Sequence, residues 1–144
     1  MSKIVFWNDK GEIERQDIET TVTSYDLGTL GIWESVISQE DKKVKNDKVE
    51  KITIKKIKLP PRAIVIPCIF KRHALGYVES VGSPGKAKKI EEDREIKEVY
   101  FRPVSDGEIK TDDLLAVLNV LYARPKGEPS QSEMKWFKRR RMQP

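Results

Sequence analysis

Histidine and cysteine, which supply most zinc ligands and many catalytic groups, are almost absent from this chain. The sequence contains one of each, His73 and Cys68. Because a zinc site needs three or four such ligands, the composition predicts no metal, and no cofactor motif is present. A lone cysteine cannot form a disulfide within the chain, which is typical of a protein of the reducing cytoplasm.

Long apolar segments are also lacking. Ile4–Trp7 is a run of four apolar residues before Asn8, too short for the core of a secretion signal. No run approaches the ~20 residues that a membrane-spanning helix requires. We therefore expect no transmembrane segment.

The chain lacks a recognisable catalytic arrangement as well. No partner lies at a familiar spacing from His73, so a surface or strand-end histidine is expected, and Cys68 is expected to be an inert buried thiol. The acidic clusters 91–93 and 112–113 lack the alternation of a calcium loop and are expected to be solvated. The glycines of 82–86 lack the spacing of a phosphate loop. No catalytic residue is predicted.

Charge is abundant but unevenly placed. Of the 144 residues, 35% are charged and 38% are hydrophobic, and the formal net charge is +5. Residues 124–144 contain seven basic and two acidic side chains, whereas residues 1–123 contain 21 of each sign. The sequence thus predicts a neutral globular domain over 1–123, followed by a linker and a cationic arm over 124–144.

The tip of the arm combines cations with aromatic side chains. After a linker rich in proline, glycine and serine (125–132), the predicted partner-binding residues are Lys135, Trp136, Phe137, Lys138, Arg139, Arg140 and Arg141. They would suit the phosphates and bases of a nucleic acid, an apolar pocket with an acidic rim on a protein, or anionic lipid headgroups. A solubilising tail is the alternative without a partner. Docking to a protein or ribonucleoprotein is favoured, because exposed paired aromatics do not serve solubility.

A second basic patch is predicted at Lys71, Arg72 and His73, joined by the lysines of 51–58. Lysines that alternate with isoleucines are also the usual outer face of an antiparallel strand. Both interpretations stay open from the sequence. The patch would bear on function if it lay beside the start of the arm.

Strand-forming segments and turn signals alternate along 1–123 at roughly ten-residue spacing. Lys3–Trp7 and Glu12–Arg15 flank a polar loop ending in Gly11, which predicts a β-hairpin. The apolar run 112–122 fits a helix or a strand by its length, and its β-branched residues favour a buried strand. The pattern predicts an all-β fold, a single small antiparallel barrel or sandwich with a flexible basic C-terminal arm.

Other segments of the sequence predict local features, namely a bulge, an edge or bent strand, and loops. Within 52–59 the alternation slips at Lys55-Lys56, which predicts a bulge there, with the apolar residues before and after it on opposite faces. Pro67 predicts an edge strand or a bent one. Residues 39–48 are expected to be an exposed loop, and 86–98 a loop in preference to a helix.

Several short motifs lie between residues 50 and 123, namely Leu59-Pro60-Pro61-Arg62, Pro67, Lys71–Gly76, Asp106–Lys110 and Asp113–Val120. Together they resemble an archaeal family known as domain of unknown function number twenty-two. This resemblance implies an archaeal source. It brings no activity and no site residue with it.

Tyr25-Asp26-Leu27, Gly76–Ser80 and an arm after the last strand resemble the layout of the all-β dUTPase barrel. The resemblance would make Glu79 the counterpart of a catalytic aspartate and place a nucleotide near Gly82–Gly85. The chain lacks that family's serine-containing arginine motif and its glycine-rich phosphate-binding arm. Nucleotide binding or hydrolysis is therefore the alternative.

The main functional prediction is a non-enzymatic accessory or adaptor protein that docks onto a protein or ribonucleoprotein partner through the arm. Nucleic acid is an alternative ligand for the arm. A structural subunit of a larger archaeal complex is an alternative role. The sequence leaves the oligomeric state open.

Overall fold

The computed structural model describes residues 2–20, 23–26, 30–68, 72–85 and 88–122, together with Lys135, Arg139 and Arg140. The strands within these residues are β1 (Ser2–Trp7), β2 (Ile13–Ile18), β3 (Thr23–Asp26), β4 (Leu30–Ile37), β5 (Lys42–Val44), β6 (Glu50–Leu59), β7 (Ala63–Pro67), β8 (Gly76–Gly82), β9 (Arg94–Pro103), β10 (Gly107–Ile109) and β11 (Leu114–Tyr122). The all-β prediction is confirmed. In the described part of the chain, no helix is long and apolar enough to cross a membrane.

Two antiparallel sheets enclose a shared core. One has the strand order β3-β4-β11-β7 and the other the order β6-β9-β8, with the ribbons β1-β2 and β10-β5 beside them. Buried side chains from both sheets, such as Ile32, Leu118, Ile52 and Phe101, belong to one apolar cluster. None of the sheets closes on itself within the described residues, so a layered sandwich describes them and a closed barrel does not.

The bulge predicted in β6 is present, but its consequence differs from the prediction. The pairing of β6 with β9 shifts register between Thr53 and Ile57. Ile57 and Leu59 are 5% and 6% exposed and join the same core as Ile52 and Ile54. The expectation that the two pairs face opposite sides is therefore wrong, because the extra residue of a bulge restores the core-facing phase.

Strand β7 lies at the edge of its sheet, as Pro67 predicted. Proline has no N–H to offer a neighbouring strand. At the other end of β7, the guanidinium of Arg94 donates to the carbonyl oxygen of Ala63. Both ends of this edge are thus blocked against a further strand.

Two loop predictions have different outcomes. Residues 39–48 are not loop throughout, because Val44 is 2% exposed and β5 pairs with β10. A single buried valine in a run of charges is too weak a pattern to reveal this strand. Residues 88–98 contain no helix, as predicted, but 94–98 belong to β9 and are not loop, while 86 and 87 lie outside the described residues.

Substitution of Gly76 by alanine should destabilise the fold. A Cβ at this position would lie 2.2 Å from the carbonyl oxygen of Arg102 and 2.8 Å from the Cα of Pro103, so β8 and β9 would have to separate. We expect a loss of about 1–3 kcal/mol in the free energy of unfolding, measured by urea denaturation.

The control lies in the same strand. A Cβ at Gly82 meets no atom within 4 Å. Gly82→Ala should therefore leave the free energy of unfolding within about 1 kcal/mol of the parent. Equal losses in the free energy of unfolding for Gly76→Ala and Gly82→Ala would contradict the close approach of β8 and β9 at Gly76.

Candidate functional site

The arm that the sequence predicts to bind a partner is described at three positions. Lys135, Arg139 and Arg140 have helical backbone; the first two are exposed and Arg140 is half-buried. The Nη2 of Arg140 donates a hydrogen bond to Oε1 of Glu34 on β4. The other predicted arm residues, which lie outside the described part of the chain, are Trp136, Phe137, Lys138 and Arg141.

Glu34 occupies an unusual place for a carboxylate. It faces the core side of β4, between Ile32 and Val36, and is 8% exposed. A carboxylate there has lost most of its hydration and requires a cationic partner. Arg140, with 24% of its side chain exposed, supplies that partner and joins the arm to the globular domain.

Burial raises the pKa of the Glu34 carboxyl, and the charge and hydrogen bond of Arg140 oppose this only in part. The folded state therefore holds this proton more tightly than the unfolded state does. Its contribution to stability is complete below the unfolded pKa of ~4.3 and is lost as the pH rises through the folded pKa. Ionised Glu34 is thus a cost to the fold, which Arg140 reduces.

His73 does not contribute its side chain to the surface of the second predicted basic patch. The side chain of His73 is 0% exposed, so a surface position is wrong, whereas its place just before β8 agrees with the strand-end alternative. Arg72 is half-buried, and Lys71 lies outside the described residues. The imidazole is directed inward because both of its ring nitrogens have partners in the interior.

His73 is held between a carboxylate and the backbone. Its Nε2 lies 2.8 Å from Oδ2 of Asp113, and its Nδ1 accepts the backbone N–H of Leu75 at 3.1 Å. Because Nδ1 accepts, the ring proton is on Nε2 and is donated to Asp113. The ring also meets Phe101 edge-on, with centroids 5.9 Å apart.

The sequence predicts a solvated Asp113, and this prediction is wrong, because the side chain is 0% exposed. Besides His73, its donors are Nε of Arg15 at 3.1 Å, Nη2 of Arg15 at 3.2 Å and the backbone N–H of Lys110 at 3.0 Å. Burial alone would raise the pKa of this carboxyl. The hydrogen bonds from His73, Arg15 and Lys110 outweigh burial and hold the pKa below its usual value.

This Arg15–Asp113–His73 cluster joins three separate parts of the chain. Arg15 is on β2, His73 precedes β8 and Asp113 precedes β11. Arg15 also donates to the carbonyl oxygen of Glu108 at 2.8 Å. Every ring nitrogen and carboxylate oxygen of His73 and Asp113 has a partner within the protein, so the cluster holds these segments together.

A cleft of about 460 Å³ lies beside this cluster, between Ile4–Trp7 and Arg72–Ala74. Its walls are mainly apolar, and the indole N–H of Trp7 donates to the carbonyl oxygen of Ala74 at 3.2 Å. His73 contributes only backbone to the cleft, because its side chain is fully buried.

A larger cleft of about 990 Å³ lies between β7 and the start of β9 and includes Gly82, Ser83 and Pro84. Glu79, the residue that the dUTPase resemblance marks, is not part of its lining and pairs instead with Arg102. Within the described ranges, no three His, Cys, Asp or Glu side chains converge as a metal site.

Residues 1–107 match the model of the family described as domain of unknown function DUF22. The chain belongs to this family. The uncharacterized protein MJ0614 of Methanocaldococcus jannaschii is 34% identical to it over 90 residues, which are 62% of this chain and 68% of that protein. No solved structure matched the chain.

The match confirms the archaeal family that the short motifs predicted, but with different bounds. The DUF22 region begins at residue 1 and ends at residue 107, whereas the motifs suggested 50–123. Arg15, Glu34 and His73 lie inside the DUF22 region. Their partners Asp113 and Arg140 lie beyond it.

Substitution of Asp113 by asparagine should destabilise the protein at neutral pH. The change removes the charge that Arg15 and His73 surround, and we expect a loss of about 3 kcal/mol in the free energy of unfolding. In the parent, this contribution is present above the unfolded pKa of ~3.9 and is lost as the pH falls through the lowered folded pKa. Urea unfolding at neutral pH and at about pH 3 should show the difference between parent and variant shrinking in acid.

Asp112→Asn is the matched control. Asp112 has a φ of 75°, which asparagine tolerates. Its ion pair with Lys55 spans 3.3 Å between side chains that are 40% and 45% exposed, so its loss should change stability by less than about 1 kcal/mol. Comparable losses in the free energy of unfolding for both variants would show that the buried cluster stabilises the protein no more than an exposed ion pair does.

Arg140→Gln should raise the pKa of Glu34 further, because the opposing charge is removed while the carboxyl stays on the core side of β4. The measurement is a titration of the Glu34 side-chain carboxyl followed by carbon-13 NMR. Arg139→Gln, at the neighbouring exposed position, is the control and should leave the titration unchanged. An unaltered Glu34 titration in Arg140→Gln would refute the ion pair.

Proposed function

We propose that this DUF22 protein is a cytoplasmic, non-enzymatic accessory or adaptor protein that docks onto an acidic protein partner, free or within a ribonucleoprotein, through its cationic arm. The proposal rests on one observation above the others, the pairing of Arg140 with the Glu34 carboxylate. An arginine of the arm is already used to bind a carboxylate in a partly buried place. The neighbouring cations would do the same on another protein.

The chemistry of the arm suits carboxylates. A guanidinium offers several N–H donors in a planar fork that matches a carboxylate. Lys135 and Arg139 are exposed, so their charges are available to a partner. Trp136 and Phe137 would supply the apolar anchors that carry most of the affinity in such interfaces.

A protein partner is favoured over bare nucleic acid by the charge on the globular domain. Two outward lysines of β6 form ion pairs with glutamates of β9, with Lys51 3.7 Å from Glu98 and Lys56 3.7 Å from Glu95. His73 is withdrawn from the second basic patch. Phosphate binding draws on many cations along one surface, and the described residues of the domain offer an alternating surface instead.

The burial and hydrogen bonding of His73 and Asp113, the pair that most resembles a catalytic acid and base, support a non-enzymatic role. His73 and Asp113 are within hydrogen-bond distance, as in many acid–base sites. Both are fully buried and fully bonded within the protein. Their arrangement is that of a structural contact.

Substitution of Lys135, Lys138 and Arg139 by alanine should abolish partner capture and leave the fold intact. The measurement is affinity purification with the tagged full chain from an extract of the source organism, with thermal unfolding as the test of folding. The control substitutes the exposed lysines of the domain, Lys43, Lys45 and Lys48. This control removes the same number of charges and should retain capture.

Treatment of the extract with nuclease separates the partner classes. Recovery that survives nuclease and depends on the arm cations supports a protein partner. Recovery that nuclease removes would replace it with RNA or DNA. Equal recovery with the arm variant and the parent would refute docking through the arm.

A further inference from the structure

The contact between Glu34 and Arg140 engages one cation of the arm within the molecule itself. Among the three described positions of the arm, Arg140 donates to the Glu34 carboxylate, whereas Lys135 and Arg139 are exposed. A guanidinium that is bound to one carboxylate has part of its fork of N–H donors occupied and offers fewer to a second carboxylate. The arm therefore does not present all of its cations to a partner.

The globular domain contributes the carboxylate of this contact, and the arm contributes the cation. Glu34 lies on the core side of β4 between Ile32 and Val36, and its side chain is 10% exposed. Its described partner, Arg140, lies 106 residues further along the chain. Because a buried carboxylate without a cation is strongly disfavoured, the domain favours the state in which the arm lies against β4.

A comparison with Asp113 indicates that this contact is exchangeable. Asp113 accepts hydrogen bonds from three different residues, which hold its pKa below the usual value. Glu34 has one described donor, and burial keeps its pKa raised because Arg140 compensates only part of the lost hydration. The side chain of Arg140 is still 24% exposed, so a carboxylate from another molecule can approach it.

We propose that the Glu34–Arg140 pair is an autoinhibitory contact, which restrains the arm until a partner with several clustered carboxylates displaces Glu34. This inference rests on the proposed function and adds how the docking of the arm is regulated. Glu34 acts as an internal competitor, because it offers Arg140 the same chemical group as the partner does. The segment between Tyr122 and Lys135 is short, so the internal competitor has an effective concentration on the order of millimolar.

Displacement begins at the exposed cations of the arm. Partner carboxylates that pair with Lys135 and Arg139 are brought close to Arg140, which then exchanges the Glu34 carboxylate for one of theirs. After the exchange, Glu34 is left on the core side of β4 without its described cation. This cost is subtracted from the free energy of partner binding and sets the degree of inhibition. A single carboxylate gains too little to meet the cost, so the contact selects partners with clustered acidic residues.

Glu34→Gln in the full-length protein tests the proposal, because it removes the competing charge and leaves the sequence of the arm unchanged. Trypsin reports on release of the arm without any partner. The initial rate of cleavage after Arg140, followed by mass spectrometry, should rise at least about fivefold in Glu34→Gln, since cleavage requires the released arm. Glutamine is close to glutamate in volume and needs no cation, so the variant should stay folded, which thermal unfolding checks.

A second measurement tests inhibition. Fluorescence anisotropy with a labelled oligoglutamate peptide gives the affinity of the arm for clustered carboxylates, and Glu34→Gln should bind the peptide at least about fivefold more tightly than the parent. Glu98→Gln is the matched control for both measurements. The side chain of Glu98 is 13% exposed and pairs with Lys51 at 3.7 Å on the other sheet, so the same change of charge there should leave the cleavage rate and the affinity at parental values.

The possible failures are distinguishable. Equal cleavage rates in the parent and Glu34→Gln would overturn the proposal, because Glu34 would then not hold the arm. Equal affinities of the two for the peptide would also overturn it and would leave docking through the arm intact. Failure of every form to bind the peptide would refute the proposed function and the inhibitory role together. Equal effects of Glu98→Gln would identify net charge as the cause and overturn the proposal.

Discussion

The buried carboxylate of Asp113 is the constraint on which the arrangement of this protein depends. A charge with no solvent exposure is tolerated only when donors surround it, and here Arg15, His73 and the backbone of Lys110 all converge on it. These donors come from segments far apart in the chain. Satisfying one carboxylate therefore fixes the N-terminal hairpin, the segment before β8 and the turn before β11 with respect to one another.

Glu34 illustrates the opposite solution to the same physical problem. Asp113 has enough donors for its pKa to fall, whereas Glu34 has one described cation, and its pKa rises because burial dominates. The first carboxylate is a permanent part of the fold. The second is stabilised by a residue near the end of the chain, so the fold and the arm are coupled through Arg140.

The outer faces of the two sheets differ in the side chains that they expose. Cross-strand ion pairs lie on the outer face of the sheet β6-β9-β8 together with the exposed Tyr77 and Tyr100, while the sheet β3-β4-β11-β7 turns Trp33 and Ile66 outward. On β4 the usual pattern is inverted, because the glutamate faces the core and the tryptophan faces solvent. The inward glutamate is compensated by Arg140, which supplies the cation that a buried carboxylate requires.

Several features followed from the sequence by itself, because local physics determines them. The strands other than β5 and β10, the first hairpin, the edge position of Pro67, the bulge in β6 and the family are readable from alternation, turn residues and short motifs. The charge of the arm was also readable, since charge is a property of composition.

Only the tertiary structure decided what the polar residues do. His73 and Asp113 are 40 residues apart, and no local pattern records that they meet, so the sequence predicts a surface or strand-end position for His73 and a solvated one for Asp113. The side of the sheet on which Glu34 or Ile57 lies depends on the alternation of side chains along the strand, and a single bulge reverses that alternation. Burial of a charge depends on donors brought together by the fold, and for that reason sequence predicted the sheets far better than the sites.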